Sequence, residues 1–387
     1  MTRCTAAHVD LDALRSNYRA IVDHLQRETA LNRQGRSAPA AAPGVMAVVK
    51  ANAYGHGAVL VARALEEAGA TWLAVADIEE GVELRRAGLR TRILVFGALS
   101  VSDVDGVFVH DLTPTISSPA AGRALQAAAA ARGARLRCHL KIDTGMHRLG
   151  FRHDNVHRTV PKLLESPNLE IEALHTHFGT ADEPEHPLFE EQRARFDGAC
   201  ATLAVIGARP MRRHAANSAA LLRDSRVWYD FVRPGLLLYG LAPPPLATTV
   251  PLRPVMTLTS RVVAVKGVRV GETVGYGARF RAERPTTLAV VPAGYADGLD
   301  RRLEGRGQVL IRGQRAPIVG SISMDMLTVD ISDVGEVNPG DDVVLLGQQG
   351  TGAWQTIDAR EVASWIGTIP YEVLCRLGAR VERSYAS

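Results

Sequence analysis

Eight short apolar runs recur between residues 46 and 235, separated by segments of helical character, and this alternation restricts the chain to few folds. The runs are MAVVK (46–50), WLAVAD (72–77), RILVFG (92–97), VFVHDL (107–112), LRCHLKID (136–143), LEIEALHTHF (169–178), MRRHA (211–215) and DFVRPG (230–235). Between them, Ile78–Ala87, Pro119–Arg132, Asn155–Glu165 and Leu188–Ile206 read as helices. Strand and helix in alternation define an α/β architecture, and eight strands within about 200 residues match the closure of a (β/α)8 barrel, the TIM barrel. An open doubly wound sheet is the alternative, but the first run is not followed by the G-x-G-x-x-G turn of such sheets.

The flanks read differently. From Asp10 to about Glu28, Leu11, Leu14, Tyr18, Ile21, Val22 and Leu25 recur at spacings of three and four, the mark of an amphipathic helix. Residues 27–44 are rich in Ala, Pro, Gly and Arg without periodicity and read as a surface loop. Beyond the Pro-rich segment at 242–245, β-branched alternation broken by Gly and Pro turns predicts a second, β-strand-rich C-terminal domain. The expected division is 1–245 for the barrel and 246–387 for the β domain, which the first ten residues are candidates to join in space.

Composition removes several classes of function. Of 387 residues, 46% are hydrophobic and 22% charged, ordinary values for a folded protein. The 45 basic and 41 acidic residues leave a net charge of +4 with the arginines scattered, so no nucleic acid is called for. Cys4, Cys138, Cys200 and Cys375 lie far apart with no C-x-x-C pair, which disfavours a zinc knuckle or a disulfide framework and fits a reducing compartment. The N-terminus has no apolar signal core, and no stretch approaches the ~20 uninterrupted apolar residues of a membrane span. Neither secretion nor a membrane is expected.

Active residues of such barrels come from the C-terminal ends of the strands. There the sequence places Lys50, then Lys141 and Asp143, then His177, then Asn217 and Ser218. A lysine closing an apolar strand is partly desolvated, which favours the neutral amine and suits Schiff-base chemistry. Asn217-Ser218 precedes a short helical run, so the pair suits an N-cap whose backbone N–H groups favour a phosphate. His175 and His177 fall on one face of a strand, as metal ligands could, but no third ligand motif accompanies them and no metal is expected.

The string AVVKANAYGHG around Lys50 resembles the pyridoxal-phosphate lysine motif of the alanine racemase family. The resemblance runs from VDLDALRSNYRAI to IPYEVLCRLGARV, with the 27–44 segment as its main extra piece. It implies that Lys50 holds pyridoxal 5'-phosphate as an internal aldimine. Tyr54, Ser218 beside Asn217, the backbone amides of Gly235 and Leu236, and Tyr371 would bind the cofactor phosphate. Arg233 would face the pyridine nitrogen, with His177 and His214 as neighbours. An arginine cannot give up its proton, so that nitrogen would stay an acceptor and the ring a weaker electron sink, which suits racemisation over transamination.

By the same resemblance Arg148 contacts the substrate carboxylate and the catalytic tyrosine. His147 stands where many relatives carry a small residue, and Lys141 matches a position carbamylated in some members. Tyr276 in VGYGARF would be the second base, opposite Lys50, with Arg148 favouring the phenolate of a group that ordinarily ionises near ~10. The Met324 backbone N–H would bind the substrate carboxylate, and Tyr295 would narrow the entrance. Tyr276 and Met324 would come from the neighbouring chain, so a homodimer with shared sites is implied. The implied reaction interconverts L- and D-alanine, supplying D-alanine for peptidoglycan in a bacterial cytoplasm. Rival readings are a broad-specificity racemase, a decarboxylase of basic amino acids, against which VGYG and SMDM speak together, and a non-catalytic pyridoxal-phosphate carrier, for which the β domain would be superfluous.

Overall fold

The computed structural model describes residues 4–33, 41–97, 104–207 and 211–386. They form two compact units, one of Leu14–Ala53 with Ala58–Arg253, the other of Met1–Ala13, Tyr54–Gly57 and Pro254–Ser387. The chain thus passes from one unit to the other at 253/254, where the sequence put the change at 245/246.

The first unit is a closed barrel of eight parallel strands, Gly44–Val48, Trp72–Val75, Arg92–Val95, Thr113–Ile116, Leu136–Asp143, Leu169–His175, Arg212–His214 and Phe231–Val232. Each pairs with the next in the chain, and Phe231–Val232 returns to Gly44–Val45 to close the ring. Helices Ala58–Glu67, Ile78–Arg86, Pro119–Ala131 and Leu188–Val205 run between strands. Two of them start on side-chain caps, with Asp77 accepting from Glu80 N–H and Ser118 from Ala121 N–H. The strands are buried on both faces, Leu73, Ile93, Leu94 and Leu140 completely, which is why they read as unbroken apolar runs.

Three local readings need correction. VFVHDL is not the fourth strand: Val104–Val109 is a helix that buries Val104 and Val107, three residues apart, and the strand follows at Thr113–Ile116. Pro114, which cannot donate to a ladder, hid that strand. The helix expected over Asn155–Glu165 is two short ones, Val156–Thr159 and Pro161–Leu164, because Pro161 starts a new helix more readily than it continues one. The N-terminal helix runs through Arg33, so residues 27–33 of the supposed loop are helical, while 34–40 lie outside the described residues. Asn17 on that helix is fully buried and satisfied, its amide donating to the Leu238 and Arg253 carbonyls and accepting from Arg253 N–H.

The second unit is built on a ten-stranded, mostly antiparallel sheet. The chain's first strand, Ala6–Asp10, belongs to it, pairing antiparallel with Met256–Arg261 and parallel with Glu382–Ala386. Two short helices, Ala359–Ile366 and Pro370–Cys375, complete it. Among the described residues no helix is long and apolar enough to cross a membrane.

Candidate active site

Lys50 is aimed by its backbone. Val48 N–H donates to the Pro234 carbonyl at 3.1 Å, Val49 N–H to Ala74 at 2.9 Å, and the buried Tyr239 hydroxyl to the Val48 carbonyl at 3.0 Å. Lys50 follows two residues beyond the strand end, and the chain then turns left-handed, with φ between 53° and 54° at Ala51, Asn52, Ala53 and Tyr54. That conformation costs roughly 1–2 kcal/mol per non-glycine residue and must be held by its surroundings. The Glu80 carboxylate accepts from Ala51 N–H at 2.6 Å and Ala76 N–H at 2.7 Å, and the Asn52 side chain accepts from Ala58 N–H at 2.8 Å. Two residues past Gly55, Gly57 has φ 96°, a conformation that favours glycine, and a Cβ there would lie 1.9 Å from the Tyr385 hydroxyl, which would have to move.

Lys50, Lys141, Arg148 and Arg233 all act electrostatically on His177, so the barrel unit brings four basic side chains near it. Lys141 is buried; that burial, and then Arg148 and Arg233, lowers its ammonium from 10.5 to about 8. Between those values the unfolded chain binds more protons than the folded one, so this residue's cost to stability is full below about 8 and falls away as pH rises to 10.5. Lys141→Met is therefore expected to melt above the wild type at pH 7 in carbon-dioxide-free buffer and to lose that advantage by pH 10.5. A difference in melting temperature that ignores pH over this interval would contradict the buried amine.

Arg233 is buried, and none of its hydrogen bonds to the described residues goes to a carboxylate. Nη1 contacts His214 Nδ1 at 2.7 Å, and Nη2 donates to the Thr176 and Ala215 carbonyls at 2.7 and 2.8 Å, with His177 Nδ1 at 3.4 Å. Burial lowers its guanidinium to about 9, so it remains a cation at neutral pH. Burial, and then Arg233, holds His177 well below the usual imidazole range, and it is neutral. Asn217 caps the helix Ser218–Arg223 by accepting from Ala220 N–H at 2.9 Å. The buried Ser218 hydroxyl accepts from Gly235 N–H at 2.9 Å and more weakly from Leu237 N–H at 3.4 Å, which draws Gly235 and Leu236 to it. Arg148 is exposed and makes no hydrogen bond or ion pair with the described residues, while His147 before it takes φ 53° and pairs with Asp143 at 3.3 Å.

The other unit carries the remaining five residues. The rings of Tyr54 and Tyr371 lie 5.9 Å apart, and burial followed by Tyr371 pushes the Tyr54 phenol up, so it stays a hydrogen-bond donor. Tyr276 stands between two glycines of positive φ and is 75% exposed. It lines a groove with Ser321, Ser323 and Met326. Tyr295 and Met324, 43% and 52% exposed, are tied by Tyr295 N–H to the Ser323 carbonyl and Ala296 N–H to the Met324 carbonyl, both at 3.1 Å. A Cβ on Gly294 would lie 2.3 Å from the Met324 carbonyl oxygen. Gly294→Ala is thus expected to cost about 1–3 kcal/mol, measurable by urea unfolding, and to shift Met324. Unfolding like the wild type's would refute that tight approach.

Sequence reasoning missed Glu80, which braces the left-handed turn, and a line of contacts from the partly exposed Glu172 through the buried His139 to His214. Glu80 looks like any acidic residue in a first helical turn, and Glu172 and His139 lie mid-strand rather than at strand ends.

The chain matches the family model for the alanine racemase N-terminal domain over residues 9–243 and that for the alanine racemase C-terminal domain over residues 255–385. The chain belongs to the alanine racemase family. An alanine racemase of Symbiobacterium thermophilum is 44% identical over 384 residues, covering 99% of this chain and 97% of its own length. Among solved structures, the alanine racemase of a D-cycloserine-producing Streptomyces lavendulae superposes with a TM-score of 0.91 at 37% identity, covering 100% of this chain and 98% of that one. That of Bartonella henselae, described with covalently bound pyridoxal phosphate, gives 0.85 at 30% identity, covering 99% of each. As an alanine racemase family member this chain is a pyridoxal-phosphate-dependent isomerase.

Proposed function

We propose that the chain interconverts L-alanine and D-alanine, using Lys50 and Tyr276 as two opposed bases and a second copy of the chain to complete each site. The observation that carries this reading is the buried Arg233 guanidinium, held by the Thr176 and Ala215 carbonyls and the His214 and His177 imidazoles with no carboxylate among its described partners, together with Lys50, Lys141 and Arg148, which act with it on the neutral His177. Such a cluster suits a ligand with a phosphate, an aromatic nitrogen and a substrate carboxylate. The residues present fit pyridoxal 5'-phosphate, because Arg233 is a buried donor with carbonyl and imidazole acceptors alone. It offers the ring nitrogen a hydrogen bond without giving up a proton. Ser218 beside Asn217, the amides of Gly235 and Leu236, and the phenols of Tyr54 and Tyr371 would hold the phosphate, with His177 beside the ring.

When bound, the cofactor supplies the conjugated ring that draws off the electrons of the broken Cα–H bond. Lys50 Nζ takes the α-proton from one face of alanine while the Tyr276 phenol delivers one to the other; in the reverse direction the roles exchange. Arg148 binds the alanine carboxylate through charge-assisted hydrogen bonds worth roughly 1.5–3 kcal/mol, with the Met324 N–H as a second donor. Tyr295 narrows the entrance so that a methyl side chain is preferred.

Lys141, with its amine near 8, is partly neutral at physiological pH and able to add carbon dioxide, and the carbamate charge would offset Arg148 and Arg233. In this reading the β-rich domain, residues 246–387, serves the partner subunit's site in a homodimer, which gives the exposed Tyr276 and Met324 a role. D-alanine would feed peptidoglycan synthesis in the cytoplasm. The test is chiral chromatography of alanine incubated with the purified protein and pyridoxal phosphate, beside a panel of other amino acids. Equal amounts of both enantiomers from either starting one are expected; no inversion of alanine alongside inversion of another amino acid would reassign the substrate.

A further inference from the structure

Five side chains, the last two an ion pair, form one line of hydrogen bonds through the barrel unit. Arg233 Nη1 lies 2.7 Å from His214 Nδ1, His214 Nε2 lies 2.9 Å from His139 Nδ1, and His139 Nε2 lies 3.3 Å from Glu172 Oε1, the oxygen that also takes Arg92. His139 and His214 are buried, while Glu172 and Arg92 are partly exposed. We propose that Glu172 and His139 are positioning residues that fix the proton arrangement of His214 and thereby the orientation in which Arg233 is held.

The chemistry of the groups leaves one arrangement. A guanidinium only donates, so His214 Nδ1 accepts. A neutral imidazole carries one proton, which on His214 must then sit on Nε2 and point at His139. His139 Nδ1 accepts it and keeps its own proton on Nε2, facing a carboxylate that only accepts. Every N–H in the line thus points from Arg233 toward Glu172, and both ends impose the same direction. A second proton on either ring would set donor against donor in the core.

The surroundings agree. Burial keeps His139 below the usual imidazole range and His214 well below it. Burial pushes the Glu172 carboxyl up, but the bonds from His139 and Arg92 more than offset this and hold it at about 2, so the line has neutral rings between charged ends. His175, the register neighbour of His214, stacks on it at 4.7 Å and 5° and restrains its ring. Trp72 lies 5.3 Å from His139 and carries the Arg92 guanidinium over its face at 4.0 Å. With Nη1 committed to His214 and Nη2 to two carbonyls, the Arg233 plane is fixed only while His214 keeps its acceptor toward it.

The test is nitrogen NMR of the full chain labelled in its histidine rings, which distinguishes protonated from bare ring nitrogens, first without pyridoxal phosphate. His139 and His214 are expected each to carry a single proton, on Nε2, at neutral pH. A proton on Nδ1 of either ring, or two protons on one ring, overturns the proposal whatever any variant does. Glu172→Leu removes one of the two ends that impose the direction and leaves the His139 Nε2–H without its acceptor, so the ring-nitrogen signals of His139 and His214 are expected to shift and a minor second tautomer to appear against the Nε2–H form that Arg233 still favours, whereas Glu172→Gln, which keeps an acceptor oxygen, retains the wild-type signal.

With pyridoxal phosphate labelled at its ring nitrogen, Glu172→Leu is expected to shift that resonance and Glu172→Gln to leave it in place. A Glu172→Leu protein with unchanged His214 and cofactor signals overturns the proposal. The inference takes from the proposed function only that Arg233 faces the ring nitrogen. Expected tautomers without alanine racemisation would refute that function alone, and racemisation with the wrong tautomers would refute the relay alone.

Discussion

Lys50→Ala is expected to abolish alanine racemisation and to remove the absorption of a lysine-bound cofactor while leaving the protein folded. The loss should exceed about 10⁴-fold, because the substitution removes a general base, itself worth 10²–10⁴, together with the covalent anchor. Folding should survive, since the left-handed turn is braced by Glu80 on the Ala51 N–H and by Asn52 on the Ala58 N–H. Circular dichroism and melting temperature would check the fold, chiral chromatography the activity. Racemisation retained at a tenth of the wild-type rate would remove Lys50 from its role.

Tyr276→Phe carries the second large effect. Its side chain is 75% exposed in the single chain, so deleting the hydroxyl should change stability by no more than about 0.5 kcal/mol. Racemisation is nevertheless expected to fall by about 10²–10⁴, the usual contribution of a positioned base. Mixing the two inactive proteins separates a shared site from an internal one. In a mixed dimer one site carries both substitutions and the other neither, so random exchange of equal amounts should restore about a quarter of the wild-type rate. No recovery from dimers verified as mixed would show that Lys50 and Tyr276 serve one site within a single chain.

Much of the barrel is legible in the sequence because its strands are buried on both faces and spaced by helices with clear ends, such as Asp77 before Ile78 and Ser118 before Pro119. The fourth strand is not, because Pro114 sits in it while the more apolar VFVHDL beside it is largely helix. The left-handed turn at 51–54 is equally hidden. Alanines carry no local preference for positive φ, and the turn depends on Glu80, which approaches only through the fold. Lys50, Ser218 and Arg233 stand out because they interrupt or end apolar runs. Glu172 and His139 do not, since their partnership requires strands far apart in sequence to lie side by side.

The most direct measurement follows the wild-type protein with pyridoxal phosphate and L-alanine in heavy water, reading the enantiomers by chiral chromatography and the α-position by mass. Two opposed bases predict D-alanine bearing deuterium at Cα, because the proton taken from one face is replaced on the other by one from the solvent-exchanged base. Deuterium without inversion would mean exchange on one face only, and neither deuterium nor D-alanine from a protein with bound cofactor would contradict alanine racemisation itself.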